Sequence, residues 1–140
     1  MTQKIANKTK PDLIPFTQDP DSIIETTSYY VQQLFSVHRG DTIKPVTSDT
    51  AFGPVYWVSS SVGNQYFVKM ANYGADTQDV TVSIPGLTSG ILTVLADSDP
   101  DASNTVNQTL VVPSKSDVAG DDGSFSFTLP AWSVAVLDVS

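Results

Sequence analysis

Carboxylates are the most abundant reactive groups in this 140-residue chain, which carries fifteen acidic side chains. Glu25 is the only glutamate, so fourteen are aspartates. Glycosidic hydrolysis needs two facing carboxyls with separated pKa values. Most of these aspartates instead stand beside Gly, Pro or Ser, where a short polar side chain closes a turn, and no residue is assigned a catalytic role. Asp97, Asp99 and Asp101 place oxygen ligands at alternate positions, as a calcium loop does. Ala102 stands where an EF-hand needs its sharp-turn glycine, and Gln108 where it needs the closing glutamate, so a calcium site here would be of another kind. His38 is the only histidine and there is no cysteine, which excludes thiolate nucleophiles, disulfides and Cys-ligated zinc. No nucleophile elbow surrounds any serine. No cofactor is expected. Among the aromatics, Tyr56 and Trp57 are adjacent in a strand-like run and must point to opposite faces. Together with Tyr73 they are the candidate carbohydrate-stacking residues.

The net charge is −8, with only seven scattered Lys and Arg. Nucleic acid needs a basic stripe against its phosphates, and none exists. An anionic membrane surface is disfavoured for the same reason, and no apolar run reaches a membrane span. Residues 1–10 are polar and basic without an apolar h-region. They read as a disordered leader, not a signal peptide. Two Asn-x-Thr sequons occur, Asn7-Lys8-Thr9 and Asn107-Gln108-Thr109, and would matter only in a secreted protein.

The elements that must position these residues divide at Gly40. Leu13, Ile14 and Phe16 form a short apolar run between prolines, suited to a lone strand. Ser22 and Glu25 fit a capping box, with a start at Ser28 the alternative because Thr26 and Thr27 are mediocre helix formers. Tyr30, Val31, Leu34, Phe35 and His38 recur at helical spacing. Arg39 and Gly40 read as the helix end. From Thr42 onwards the period is two. Strands are expected over residues 54–59, 64–71, 80–84, 91–95, 109–112, 124–129 and 133–139. A turn is expected at residues 60–63, a positive-φ glycine at Gly74, and a long polar loop over residues 114–123. Seven or eight short strands at this spacing predict a mainly β fold, an antiparallel sandwich, preceded by one strand–helix unit.

Several of these segments resemble a known family. Pro11-Asp-Leu-Ile14, Thr27-Ser-Tyr-Tyr-Val-Gln-Gln-Leu-Phe-Ser36 and Arg39-Gly-Asp41 resemble the end of the catalytic barrel of glycoside hydrolase family 51 α-L-arabinofuranosidases, fungal type. Pro54-Val-Tyr-Trp57, Val68-Lys-Met-Ala-Asn-Tyr-Gly74, Ala102-Ser-Asn104 and Leu129-Pro-Ala-Trp-Ser-Val-Ala-Val-Leu137 resemble that family's C-terminal β-sandwich. The resemblance implies that residues 11–40 are the terminal βα unit of a (β/α)8 TIM barrel and residues 41–140 the sandwich. It implies two catalytic glutamates on earlier barrel strands. Glu25 matches neither, so no catalytic residue transfers and the chain alone is expected to be inactive. The residues of the expected leader, Met1 to Lys10, stand where the family has barrel sequence and depart from it.

The expected function is structural support of the parent enzyme's catalytic barrel. That parent would hydrolyse terminal non-reducing α-L-arabinofuranosides in arabinan or arabinoxylan and be extracellular, with arabinose-containing polysaccharide a second partner. Two alternatives stand beside it, an independent carbohydrate-binding module and a calcium-dependent interaction domain. The helix's apolar stripe must either fold back on the sandwich or stay exposed.

Overall fold

The structure is a computed structural model that describes residues 23–105 and 107–140. The expected leader, the run from Leu13 to Phe16, and Ser22 lie outside the described residues. Among those described, one helix and eight strands form: α1 (Thr27–Val37), β1 (Thr42–Lys44), β2 (Val55–Val62), β3 (Gln65–Asn72), β4 (Gln78–Ser83), β5 (Ser89–Ala96), β6 (Ser114–Ala119), β7 (Ser124–Leu129) and β8 (Ser133–Val139). A six-stranded sheet runs in the order β1-β2-β3-β8-β5-β6, and β4 pairs with β7 in a second sheet. Every pairing is antiparallel. The mainly β sandwich expected from the period of two is the observed architecture.

β8 lies at the centre because its sequence is apolar on both sides. Ala135, Leu137 and Val139 pack with Val68, Met70, Leu92, Phe125 and Leu129 between the two sheets. Val136 points the other way and meets Phe67 and Leu34 beneath α1. A strand covered on both faces reads as a continuous apolar run, and Val134-Ala-Val-Leu137 is one. On β4 and β7, Val80, Val82, Phe125, Phe127 and Leu129 turn inward. The outer face of that pair is polar, with Thr81 and Ser126 hydroxyls 3.0 Å apart and Thr128 donating to Asp79 at 2.7 Å.

The helix folds back on the sandwich. It starts later than a capping box at Ser22 and Glu25 requires. Thr26 is extended and its hydroxyl accepts from the Tyr29 amide at 3.2 Å, so Thr26 is the N-cap. Glu25 precedes the helix, and its carboxylate accepts from the Tyr30 hydroxyl. That hydrogen bond, followed by desolvation and the carboxylate's charge, raises the Tyr30 pKa. At the other end α1 stops at Val37 with His38 as its cap. His38 Nδ1 donates to the Leu34 carbonyl at 2.8 Å, and its ring meets Phe67 edge-on at 5.8 Å. The lone histidine is therefore a packing and capping residue. Gly40 is required by proximity: a Cβ there would lie 2.5 Å from the Ser61 amide nitrogen.

Four other expectations need correction. β2 continues through Val62, and Gly63 alone, at φ 56°, carries the positive-φ step of the turn. Gly74 is not at positive φ; a Cβ there would lie 2.9 Å from Pro54 Cβ. Residues 109–112 are not a strand, although Val111 is buried. The Asn104 carboxamide takes the place of a neighbouring strand, accepting from the Leu110 and Val111 amides and donating to the Val111 carbonyl. Residues 114–119, read as loop, are the edge strand β6. It pairs only with β5 and is exposed almost throughout, so no apolar alternation marks it.

Candidate interface and aromatic cluster

The six-stranded sheet is covered unevenly on its helix side. α1 lies over β3 and β8, where Leu34 and Phe35 meet Phe67, Val134 and Val136. The cross-strand register puts Ile43 opposite Ser60, and Tyr56 and Val58 opposite Ala71 and Lys69, all on this same face. Nothing among the described residues covers Ile43 or Val58, and Phe52 stacks on Tyr56 without burying it. Ile43 is 79% exposed and Val58 49%, with Tyr56 half exposed between them and the sheet end. Three apolar side chains on adjacent strands thus continue the seam beneath α1 towards the β1 edge.

The helix itself is held by little. Only Leu34 of α1 is fully buried, and burying such a side chain contributes about 1.5–3 kcal/mol. Ordering eleven backbone residues costs about 1–2 kcal/mol each before helical hydrogen bonds offset it. The supplement is polar. Lys69 Nζ donates to the Phe35 carbonyl at 2.7 Å and sits 5.4 Å from the Phe35 ring. Burial lowers the Lys69 pKa, and the Arg39 charge adds to the effect. At the helix start, Asn104 Nδ2 donates to the Glu25 carbonyl at 2.8 Å and Thr27 Oγ1 to the Ala102 carbonyl at 3.5 Å.

The candidate stacking residues fall at one end of the sandwich in two groups. Tyr56 and Trp57 point to opposite faces, as adjacency requires; Trp57 packs on the inner core. Phe52, which pattern reading passed over, stacks on Trp57 with centroids 4.3 Å apart and on Tyr56 at 6.0 Å. Phe52 is 63% exposed. Tyr73 is 77% exposed and meets Trp132 edge-on at 5.5 Å. The groups adjoin through Pro54, whose carbonyl accepts from the Tyr73 amide at 2.9 Å. Phe52 precedes the strand in an irregular segment, where no period marks it; an aromatic just before Gly-Pro was the available signal.

Asp97, Asp99 and Asp101 serve the turn they form. Asp97 Oδ1 accepts from the Asp99 amide and Asp99 Oδ1 from the Asp101 amide, both at 2.9 Å. Such turns are the ordinary use of Asx side chains. Among the described residues no group of three His, Cys, Asp or Glu converges as a metal site would require. A groove of about 500 Å³ is lined by Gln65, Ile91, Asp117 and Asp138 among others. Gln65 Nε2 holds the Asp138 carboxylate at 2.8 and 3.0 Å, and the lining has no aromatic ring to stack a sugar.

Among the described residues, a two-layer antiparallel sandwich with one helix on the larger sheet defines a β-sandwich domain. The arabinose-bound MgGH51 α-L-arabinofuranosidase contains a region of the same fold: TM-score 0.80, 31% identity, covering 95% of this chain and 22% of that one. The family model described as the α-L-arabinofuranosidase C-terminal domain matches residues 3–133, and the chain belongs to that family. It is 69% identical over 136 residues to the "Probable alpha-L-arabinofuranosidase A" of Aspergillus terreus, covering 96% of this chain and 22% of that protein. It is 62% identical to the alpha-L-arabinofuranosidase A of Aspergillus kawachii over the same shares. The chain thus spans about a fifth of the relatives it matches and corresponds to their C-terminal domain. The family match takes in residues 3–10, so the segment set apart as a leader lies almost wholly within it.

Proposed function

We propose that this domain supports the catalytic barrel of an extracellular α-L-arabinofuranosidase and docks on it through the helix side of the six-stranded sheet. The parent releases terminal non-reducing arabinofuranosyl residues from arabinan or arabinoxylan, and α1 is the last helix of its barrel. One observation carries the docking face. Ile43, Tyr56 and Val58 lie exposed on the same face as α1, beside the strands it covers. Apolar side chains grouped this way mark an interface. The remaining four-fifths of the relatives' length supplies the occupant.

The test joins this domain to the rest of the Aspergillus terreus relative and replaces Val58→Lys together with Ile43→Lys. Melting temperature and hydrolysis of an aryl arabinofuranoside should both fall, while the isolated domain carrying the same changes keeps its own melting temperature. An unchanged melting temperature in the joined protein sinks the docking face. The isolated domain should leave the aryl arabinofuranoside at the buffer rate.

A second reading rests on Phe52, Tyr56 and Tyr73, three exposed rings at one end of the sandwich. A strip of this kind stacks on sugar rings in an arabinose-containing polysaccharide. Affinity electrophoresis in arabinoxylan gels distinguishes it. Retardation abolished by Tyr73→Ala and Phe52→Ala supports polysaccharide binding, whereas unchanged mobility leaves barrel support alone.

A further inference from the structure

We propose that Asn107 is an N-glycosylation site, displayed at the tip of an exposed turn in the loop that packs against the start of α1. The proposal rests on the reading that the parent enzyme enters the secretory pathway. Asn107-Gln108-Thr109 satisfies the acceptor pattern, with Gln in the middle position where proline would block it. The fold presents that pattern at the tip of a tight turn. Thr105 N donates to the Gln108 carbonyl at 2.8 Å and Gln108 N to the Thr105 carbonyl at 3.3 Å, closing the turn in which Asn107 stands. Asn107 and Thr109 are both exposed.

Its neighbour Asn104 is the instructive contrast. Asn104 is 8% exposed, and its carboxamide is consumed by two donated and two accepted hydrogen bonds. Two asparagines three positions apart are therefore divided, one to hold the loop and one at the tip of the turn. A bulky, hydrophilic oligosaccharide is tolerated where the acceptor's surroundings are solvent.

The position has a consequence for docking. The loop follows β5, on one side of β8, while Ile43, Tyr56 and Val58 sit on β1 and β2, on the other. α1 lies between them. The loop meets the start of α1 through Asn104 and Ala102, so an oligosaccharide at Asn107 stands near that end of the helix and leaves the β1–β2 side open.

Chemically, the Asn107 carboxamide nitrogen displaces a lipid pyrophosphate from the anomeric carbon of a lipid-linked oligosaccharide. One N–C bond forms, one C–O bond breaks, the amide loses a proton and the lipid pyrophosphate leaves. The co-reactant is that lipid-linked sugar donor, and no redox change occurs.

The test expresses the full chain in yeast behind a heterologous secretion leader, taking protein from both the microsomal fraction and the medium. Forced entry separates acceptor competence from natural export. Peptide-N-glycosidase treatment in heavy-oxygen water should leave a labelled aspartate in place of Asn107. Asn107→Gln and Thr109→Ala should each abolish the label in that peptide while secretion persists. An unlabelled peptide from wild-type protein, with a control glycoprotein from the same cells modified, overturns the proposal. So does carbohydrate confined to Asn7. If instead the full-length Aspergillus relative with its own leader stays inside the cell, the export reading fails and Asn107 remains an acceptor.

Discussion

The Lys69 ammonium donates to the Phe35 carbonyl across 2.7 Å, tying the middle of β3 to the last turn of α1. Carbonyls in a helix's last turn lack intrahelical donors, and a cation there also opposes the negative end of the helix dipole. Lys69→Met keeps the apolar stem and removes this bond. The loss in stability should be about 1 kcal/mol, because the ammonium is only partly buried and water screens it. Urea denaturation measures the total. Faster amide exchange confined to residues 27–37 identifies the cause.

The same lysine gives a pH dependence. Its pKa is lowered from 10.5, first by burial and then by Arg39. The folded chain therefore holds this proton less tightly than the unfolded chain. As pH rises from the lowered value towards 10.5, the unfolded state binds more protons, so this group's contribution to stability increases. Below that window both states are protonated and the contribution is flat. Lys69→Met should remove the rise. Denaturation midpoints of both proteins across pH 8 to 10.5 check it; parallel curves for the two would contradict the assignment.

Asn104→Ala should be among the most damaging polar substitutions. It removes four hydrogen bonds and strands two amides and the carbonyl of buried Val111. Each buried group left without a partner costs about 1–3 kcal/mol, so a total of about 3 kcal/mol is expected after local relaxation. Asn104→Asp should fare no better, since it loses both donated bonds and sets a charge against two carbonyls. Thermal melts of both variants decide this, and a melting temperature within error of wild type would refute the account.

Glycine substitutions should separate close approach from backbone conformation. At Gly40 a Cβ meets the Ser61 backbone at 2.5 to 2.7 Å, which no rotamer relieves. Gly40→Ala should cost about 1–3 kcal/mol, the usual range for forcing atoms into a packed site. Gly63 has φ 56° with nothing near its missing Cβ. Gly63→Asn should cost well under 1 kcal/mol, because Asn tolerates the left-handed region. Equal effects at the two positions would count against the distinction.

Core substitutions should report on the two faces of β8 separately. Phe125→Ala empties the space between the sheets and should cost about 3–5 kcal/mol. Leu34→Ala should cost about 2–3 kcal/mol and act on the helix alone. Amide exchange in α1 should approach the unfolded rate in Leu34→Ala while β3 and β8 stay protected. A uniform loss of protection would show that helix and sandwich unfold as one unit.

Most of the sandwich was legible because period-two alternation is written directly into residues such as Val80, Thr81 and Val82. The opposite facing of Tyr56 and Trp57 followed from adjacency alone. Misreadings clustered where tertiary contacts supply what local pattern lacks. β6 has almost no apolar signal, since an edge strand exposed to water is selected only by its hydrogen bonds to β5. The run around Val111 looked like a strand, but its backbone is satisfied by one buried carboxamide.

By itself the sequence determined the class of fold, the helix-to-strand division at Gly40 and the membership in the arabinofuranosidase C-terminal family, because periodicity and motif order are properties of the chain. Only the tertiary structure decided which face α1 covers, that Gly40 and Gly74 serve close approach, and that Phe52 joins Tyr56 and Trp57. The reason is physical. Steric approach, burial and side-chain hydrogen bonds join residues far apart in the chain, such as Lys69 with Phe35 and Asn104 with Glu25, and no local pattern encodes which distant partner a side chain meets.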